Sequence, residues 1–113
     1  NPKMEKTALG SSESVDWEYS EDIIHTIEKL KRRGIKVVSI EQADKSLKIE
    51  DFKPVKDNKY AFIFGNEVDG IQDEIINVSD DVIEIPQVGT KHSLNVSVAA
   101  GIVLWDFFYK TEI

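Results

Sequence analysis

The stretch YAFIFGN at residues 60–66 decides the fold of this chain. Five consecutive apolar residues end abruptly at a glycine and an asparagine, which is typical of a buried strand that runs into a tight turn. The β-branched run IKVVSI at residues 35–40 predicts a second buried strand of the same kind. Strands that are apolar along their whole length are covered on both faces, so the two runs favour a mostly parallel sheet.

Helical patterns alternate with these strands. Between Ser20, the expected N-cap, and Gly34, the expected stop, apolar residues recur at helical spacing and predict a first helix. A short helix is predicted over residues 73–78, and a third strand over residues 82–85. A long helix over residues 93–109 is apolar on nearly all sides, which implies burial in its own domain or against a partner. The alternation predicts an α/β fold, with a mostly parallel sheet and helices on both of its faces.

The remaining segments carry weaker signals. Residues 6–9 indicate one helical turn, residues 15–19 a short extended piece, and residues 47–52 a weak turn within a polar stretch. The chain begins with Asn1 rather than with methionine, so we expect it to be a piece of a longer protein.

Composition argues against several classes of protein. The 113 residues contain no cysteine, which rules out a disulfide framework and a thiolate metal site. Two scattered histidines do not suggest a zinc site, so no metal is expected. No apolar run approaches the about 20 residues that span a bilayer, so no membrane partner is expected and a cytoplasmic location is the default. The net charge of −7 argues against nucleic-acid binding by charge alone.

Unusual loops follow the predicted strands, at the carboxyl ends where parallel sheets bind their ligands. Gly65 would let the backbone approach a ligand closely, although Asp69 and Gly70 also fit the bend of an ordinary tight turn. Ser93 and Asn95 stand where the last helix begins, so helix capping and a functional role are both open for them. The phosphate-loop and Rossmann fingerprints are absent from the sequence, and no Gly-x-Ser-x-Gly elbow supports a hydrolase.

Two of these loops carry recognisable motifs. Residues 64–67 read FGNE and are followed by Gly70-Ile71. Residues 85–86 read IP, and residues 93–97 read SLNVS before a run of small residues. With these motifs in order, residues 60–105 closely resemble the SpoU (TrmH-like) branch of the SPOUT RNA methyltransferases.

The resemblance implies a fold and a reaction. The family's C-terminal segment is threaded through a loop as a deep trefoil knot, and its members transfer a methyl group from S-adenosylmethionine to a ribose 2′-hydroxyl of tRNA or rRNA. The family's first motif contains an Asn and then an Arg held to be catalytic, and it has no match in residues 1–59. We therefore expect residues 1–113 to be a single methyltransferase domain without its N-terminal strand and first motif, inactive without that Arg.

The resemblance also implies a set of site residues and a dimer. By match, the cofactor S-adenosylmethionine would be bound in the knot by Ile40, Glu41, Gly65, Asn66, Glu67, Ile85 and Leu94. The catalytic residues of this chain would be Glu67, Ser93 and Asn95, which would hold the Arg and the ribose. Family members are homodimers packed through the knot and the C-terminal helix. Trp105, Phe107 and Phe108 are therefore candidates for an interface and, equally, for the core.

Two rival classes remain open from the sequence. A non-catalytic RNA- or protein-binding relative of the same fold is the first, and a flavodoxin-like nucleotide-binding module is the second. The basic run at residues 29–33 would suit RNA phosphates, but a helix C-terminus matched to its own dipole is the favoured interpretation.

Overall fold

A computed structural model describes residues 5–10, 15–65, 69–86 and 95–113. These residues form six strands, three α-helices and one 3₁₀ turn. In chain order they are β1 (Glu5–Gly10), β2 (Val15–Ser20), α1 (Ile23–Arg32), β3 (Lys36–Ile40), β4 (Leu47–Lys48), the 3₁₀ turn (Ile49–Asp51), β5 (Tyr60–Phe64), α2 (Asp73–Val78), β6 (Asp81–Glu84) and α3 (Val96–Glu112).

The strands form one sheet in the order β2-β1-β5-β3-β6-β4. The four strands β5, β3, β6 and β4 run parallel to one another. Strand β1 joins β5 in antiparallel orientation and pairs on its other side with β2. The prediction of an α/β fold with a mostly parallel sheet is confirmed.

Helices cover both faces of the parallel strands, as predicted. On one face, α1 and α2 pack against Val37 of β3 and against Ala61 and Ile63 of β5. On the other face, Val38 and Phe62 belong to a cluster that includes Ala99, Ala100 and Val103 of α3. Neighbouring strand residues point to opposite faces, so a continuous apolar run is needed to fill both cores.

Helix α1 begins two residues later than predicted. Ser20 is not its N-cap, because this residue ends β2; its Oγ lies 2.8 Å from Thr26 Oγ1 instead. Asp22 is the N-cap, and its Oδ1 accepts a hydrogen bond of 3.2 Å from the backbone N–H of His25. The stop at Gly34 is confirmed, and this glycine has the left-handed φ of 77° that favours glycine after a helix.

Residues 6–9 do not form the predicted helical turn; they lie in β1. The exposed edge of β5 explains the difference, since its backbone groups need hydrogen-bond partners and β1 supplies them from Lys6 opposite Phe64 to Leu9 opposite Ala61. Such long-range pairing overrides a weak local helix preference. The extended piece predicted at residues 15–19 is confirmed as part of β2.

The third strand and the last helix are shifted from their predicted bounds. Strand β6 starts at Asp81, opposite Val38 of β3. Helix α3 starts at Val96 and continues to Glu112, three residues beyond the predicted end. No helix in the described part of the chain combines the length and apolar character that a bilayer span requires. The described ranges do not confirm the predicted C-terminal trefoil knot, which stays a prediction.

Helix α3 carries apolar side chains on two sides. Phe107 faces the core, where its ring centroid lies 5.3 Å from that of Tyr60 and 5.5 Å from that of Phe62. The opposite side, called here the outer face of α3, is exposed. It consists of Val98, Ile102, Trp105, Phe108 and Tyr109. Of the three aromatic residues considered for an interface, Phe107 therefore belongs to the core, while Trp105 and Phe108 are 60% and 45% exposed.

Candidate functional site

The parallel strands carry three of the predicted site segments to the same edge of the sheet. Ile40 at the end of β3 lies opposite Phe64 of β5 on one side and opposite Ile83 of β6 on the other. The backbone N–H of Glu41 donates to the carbonyl of Ile83 at 3.0 Å. The structure thus brings Ile40, Glu41, Gly65 and Ile85 together, because each of them ends or directly follows one of these strands.

The loop after β5 returns tightly onto its own start. A Cβ added at Gly65 would lie 2.3 Å from the carbonyl carbon of Gly70 and 2.7 Å from the backbone nitrogen of Ile71. Gly70 has a φ of 67°, so the predicted bend at Asp69 and Gly70 is confirmed. The glycine after the strand is therefore required by closure of the loop itself, in addition to any approach of a ligand.

The Glu41 side chain extends to the returning end of this loop. Its carboxylate accepts a hydrogen bond from the backbone N–H of Ile71. A Cβ added at Gly70 would lie 2.6 Å from Glu41 Oε2, so the carboxylate occupies the space next to this glycine. Burial raises the pKa of the Glu41 carboxyl above its ordinary value, and the hydrogen bond from Ile71 opposes that shift.

A second polar contact fastens the loop after β3. Ser46 Oγ lies 2.7 Å from Glu84 Oε1 at the end of β6 and 2.8 Å from the carbonyl oxygen of Ala43. This contact and the Glu41 contact were not predicted, because each joins segments that are distant in sequence. The only signal was the polar Glu41 directly after a buried strand, and it did not reveal its partner.

Asn95 caps helix α3. Its Oδ1 accepts a hydrogen bond of 2.8 Å from the backbone N–H of Ser97, and its carbonyl oxygen accepts one of 2.9 Å from Ala99. The next residue, Val96, packs against the same core cluster as Ile40 and Ile85. The start of α3 thus packs against the core cluster to which the end of β3 belongs.

Four predicted site residues lie outside the described ranges. They are Asn66, Glu67, Ser93 and Leu94. Among the described residues, no three His, Asp or Glu side chains are grouped so that they could hold a metal ion.

Comparison with known proteins connects this arrangement to a family. Residues 1–105 match the model of the SpoU rRNA Methylase family. The chain belongs to the SpoU methylase family. This SpoU chain is 33% identical over 93 residues to the tRNA (guanosine(18)-2′-O)-methyltransferase of Aquifex aeolicus, an alignment that covers 80% of the chain and 43% of that protein.

Two further similarities support the assignment. The SpoU chain is 31% identical over 107 residues to the 23S rRNA (guanosine-2′-O-)-methyltransferase RlmB of Ralstonia nicotianae, covering 94% of the chain and 41% of that protein. The crystal structure of the A. aeolicus TrmH/SpoU tRNA modifying enzyme superposes with a TM-score of 0.68 at 30% identity. This match covers 79% of the SpoU chain and 44% of the A. aeolicus chain. The SpoU chain therefore spans less than half the length of these relatives.

Proposed function

We propose that this SpoU chain is part of an enzyme that transfers a methyl group from S-adenosylmethionine to a ribose 2′-hydroxyl of tRNA or rRNA. The meeting of Ile40-Glu41, Gly65 and Ile85 at one edge of the sheet carries the proposal. These positions match the cofactor loops of the family. The names of the relatives add support, since they are 2′-O-methyltransferases of tRNA and 23S rRNA.

The described residues fit an adenosyl ligand by their chemistry. Ile85 offers half-buried apolar surface, Ile40 lies in the core cluster against which it packs, and Glu41 and Gly65 offer backbone groups at the strand ends. Small-ligand sites are usually of this type, mostly apolar with a few fixed polar groups. We infer that Ile85 and Leu94 hold the adenine, and that backbone groups of Glu41, Gly65, Asn66 and Glu67 complete the pocket.

The reaction demands alignment more than activation. Bound S-adenosylmethionine supplies an activated methyl group on a sulfonium centre. The protein must hold the ribose 2′-oxygen in line with the methyl carbon, so that the new O–C bond forms as the C–S bond breaks and its electron pair returns to sulfur. The hydroxyl proton must pass to a general base.

The Arg of the family's first motif is the proposed base, and this chain's residues would support it. An arginine is nearly always protonated, so neighbouring groups must help it to release its proton before it can accept one from the hydroxyl, or it acts mainly through its charge on phosphate. We propose that Glu67, Ser93 and Asn95 hold this Arg and the ribose. In this proposal residues 1–113 form one domain, and the residues that carry the Arg lie outside it.

We propose that the protein acts as a homodimer through the outer face of α3 and the adjoining knot. Three large aromatic side chains are exposed on this face. The ring centroid of Trp105 lies 5.8 Å from that of Phe108 and 6.2 Å from that of Tyr109. A second copy would bury the same patch from both sides, as a two-fold interface requires. The C-terminal deep trefoil knot and a cytoplasmic location are part of the same proposal.

Titration of the complete protein with S-adenosylmethionine tests the proposed function. Calorimetry should show binding in the micromolar range, and Leu94→Arg should abolish it by placing a charged side chain where adenine stacks. Equal binding by both proteins would contradict the assigned pocket. Flavin absorbance in the purified protein, without binding of S-adenosylmethionine, would favour the flavodoxin-like alternative. Binding of S-adenosylmethionine and RNA without methyl transfer would favour the non-catalytic relative.

Asn95→Ala should lower the single-turnover rate of methyl transfer about 100-fold, because slight misplacement of reacting groups has effects of that order. The same change should cost about 1 kcal/mol of stability through loss of the helix cap. Asn95→Asp is the matched control, since aspartate caps helices as well as asparagine does but cannot donate a hydrogen bond. We expect Asn95→Asp to restore stability and not the rate. A wild-type rate in both variants would remove Asn95 from the proposed mechanism.

A further inference from the structure

We propose that Glu41 is a positioning residue whose carboxylate holds Gly70 and Ile71, at the end of the loop after β5, in the place where they pack on the cofactor-binding Gly65. The inference rests on the proposed function, because it concerns the same pocket. It differs from the family-based expectation, which used Glu41 only as part of a cofactor-binding loop. Here its side chain acts on a neighbouring loop, and through that loop on the ligand.

The position of Glu41 in the sheet allows one residue to join three strand ends. Strand β3 lies between β5 and β6. The backbone N–H of Glu41 bonds to the carbonyl of Ile83 in β6 at 3.0 Å, which fixes its main chain on that side. Its carboxylate bonds to Ile71, at the end of the loop that follows β5. Glu41 therefore links the ends of β6 and β5 across the strand that carries it.

Loop closure transmits this contact to Gly65. The space above Gly65 is filled by backbone atoms of Gly70 and Ile71, with less than 3 Å to any added Cβ. The position of the Gly65 backbone thus depends on where Gly70 and Ile71 lie. The Glu41 carboxylate holds Ile71, which directly follows Gly70, so a displacement of the carboxylate would shift the proposed cofactor-binding backbone at Gly65.

The contact itself is suited to a fixed geometry. The carboxylate is partly buried, and a hydrogen bond to an ionised acceptor is shorter and stronger than one between neutral groups. Glu41 Oε2 occupies the space that a side chain at Gly70 would need, and Gly70 has a left-handed φ. A side chain at residue 70 would push the carboxylate away from Ile71. The contact therefore requires both the acid at position 41 and the glycine at position 70.

Cofactor affinity in the complete protein tests the inference. Glu41→Ala should raise the dissociation constant for S-adenosylmethionine about 10-fold or more, the effect expected from losing a hydrogen bond to a charged group. Glu41→Gln keeps an acceptor oxygen at the same reach and should stay within about 3-fold of wild type. Asp44→Ala, an exposed acid in the same loop, is the control and should bind as wild type does. Titrations are run at a temperature well below the lowest melting temperature among the wild type and these variants.

Amide hydrogen exchange at Ile71, without ligand, supplies a second readout that loss of overall stability would not reproduce. Protection of this one amide should fall in Glu41→Ala relative to the amides of β3 and β5, and return in Glu41→Gln. Wild-type affinity in Glu41→Ala, or unchanged exchange at Ile71, overturns the inference. If the wild-type protein does not bind S-adenosylmethionine, the proposed function is wrong. If amide exchange at Ile71 still depends on Glu41 in that case, the contact between Glu41 and Ile71 stands and only the function is contradicted.

Discussion

Gly65→Ala is expected to lower the free energy of unfolding by about 3 kcal/mol, the upper end of the usual cost of overpacking a tight site. The new Cβ would lie 2.3 Å from the carbonyl carbon of Gly70. The clashing atoms belong to backbone, so no change of side-chain rotamer relieves the contact. The loop must open, which should also abolish binding of S-adenosylmethionine. Urea unfolding followed by circular dichroism measures the first effect, and calorimetry the second.

Substitutions at two other glycines serve as controls, because they separate the effect of a steric clash from the effect of a left-handed φ. Gly34 has a left-handed φ of 77° and open space around its Cα, so Gly34→Ala should cost only the about 1–2 kcal/mol of backbone strain. Gly101 lies inside α3 with nothing within 4 Å of an added Cβ, so Gly101→Ala should stabilise the isolated chain by roughly 0.5–1 kcal/mol. If Gly65→Ala lowers the free energy of unfolding no more than Gly34→Ala does, the close approach of Gly70 to Gly65 is wrong.

Trp105→Glu is expected to weaken dimerisation about 1,000-fold. Large aromatic residues at the centre of an interface often contribute about 2 kcal/mol or more. Each residue of a two-fold interface occurs twice, so the effect doubles to about 4 kcal/mol, which is close to three powers of ten. Trp105 is 60% exposed and adjoins Phe108 and Tyr109, so the substitution places a charge in the middle of the outer face.

Sedimentation velocity over a range of protein concentrations measures this change. Val55→Glu is a matched control, because Val55 is an apolar residue of similar exposure, 56%, outside α3. It should leave the proportion of dimer unchanged. A wild-type protein that stays monomeric at every concentration, or a Trp105→Glu protein that stays dimeric, would show that the outer face of α3 is not the interface.

The parallel part of the fold was predictable because its strands are buried on both faces. The run at β5 is apolar without interruption and that at β3 is interrupted only by Ser39 after its first residue Lys36, and such runs leave few alternatives. The helix predicted at residues 73–78 has the same bounds in the structure. Strand β1 was mispredicted because its polar sequence carries no such pattern; its conformation follows from the edge of β5, which the sequence of β1 does not reveal.

The candidate site was predictable in place but not in detail. The rule that ligands bind at the carboxyl ends of parallel strands pointed to Ile40-Glu41, residues 65–70 and residues 86–95, whereas Ile85 came only from the family resemblance. The contacts of Glu41 with Ile71, and of Ser46 with Glu84, depend on which strands are neighbours in the sheet. Strand order is a tertiary property, and the order here places β3 between two strands that follow it in sequence.

The outer face of α3 has a consequence for the chain before it has found a partner. An exposed aromatic patch binds apolar surfaces of many kinds, so the free chain needs protection against aggregation. The net charge of −7 offers it, because like-charged chains repel one another. At physiological salt that repulsion is screened beyond about 8 Å, so it acts only when two chains come close, and a closely fitting apolar contact must outweigh it. The seven excess negative charges would then influence both the solubility of the free chain and which surfaces can bind the outer face of α3.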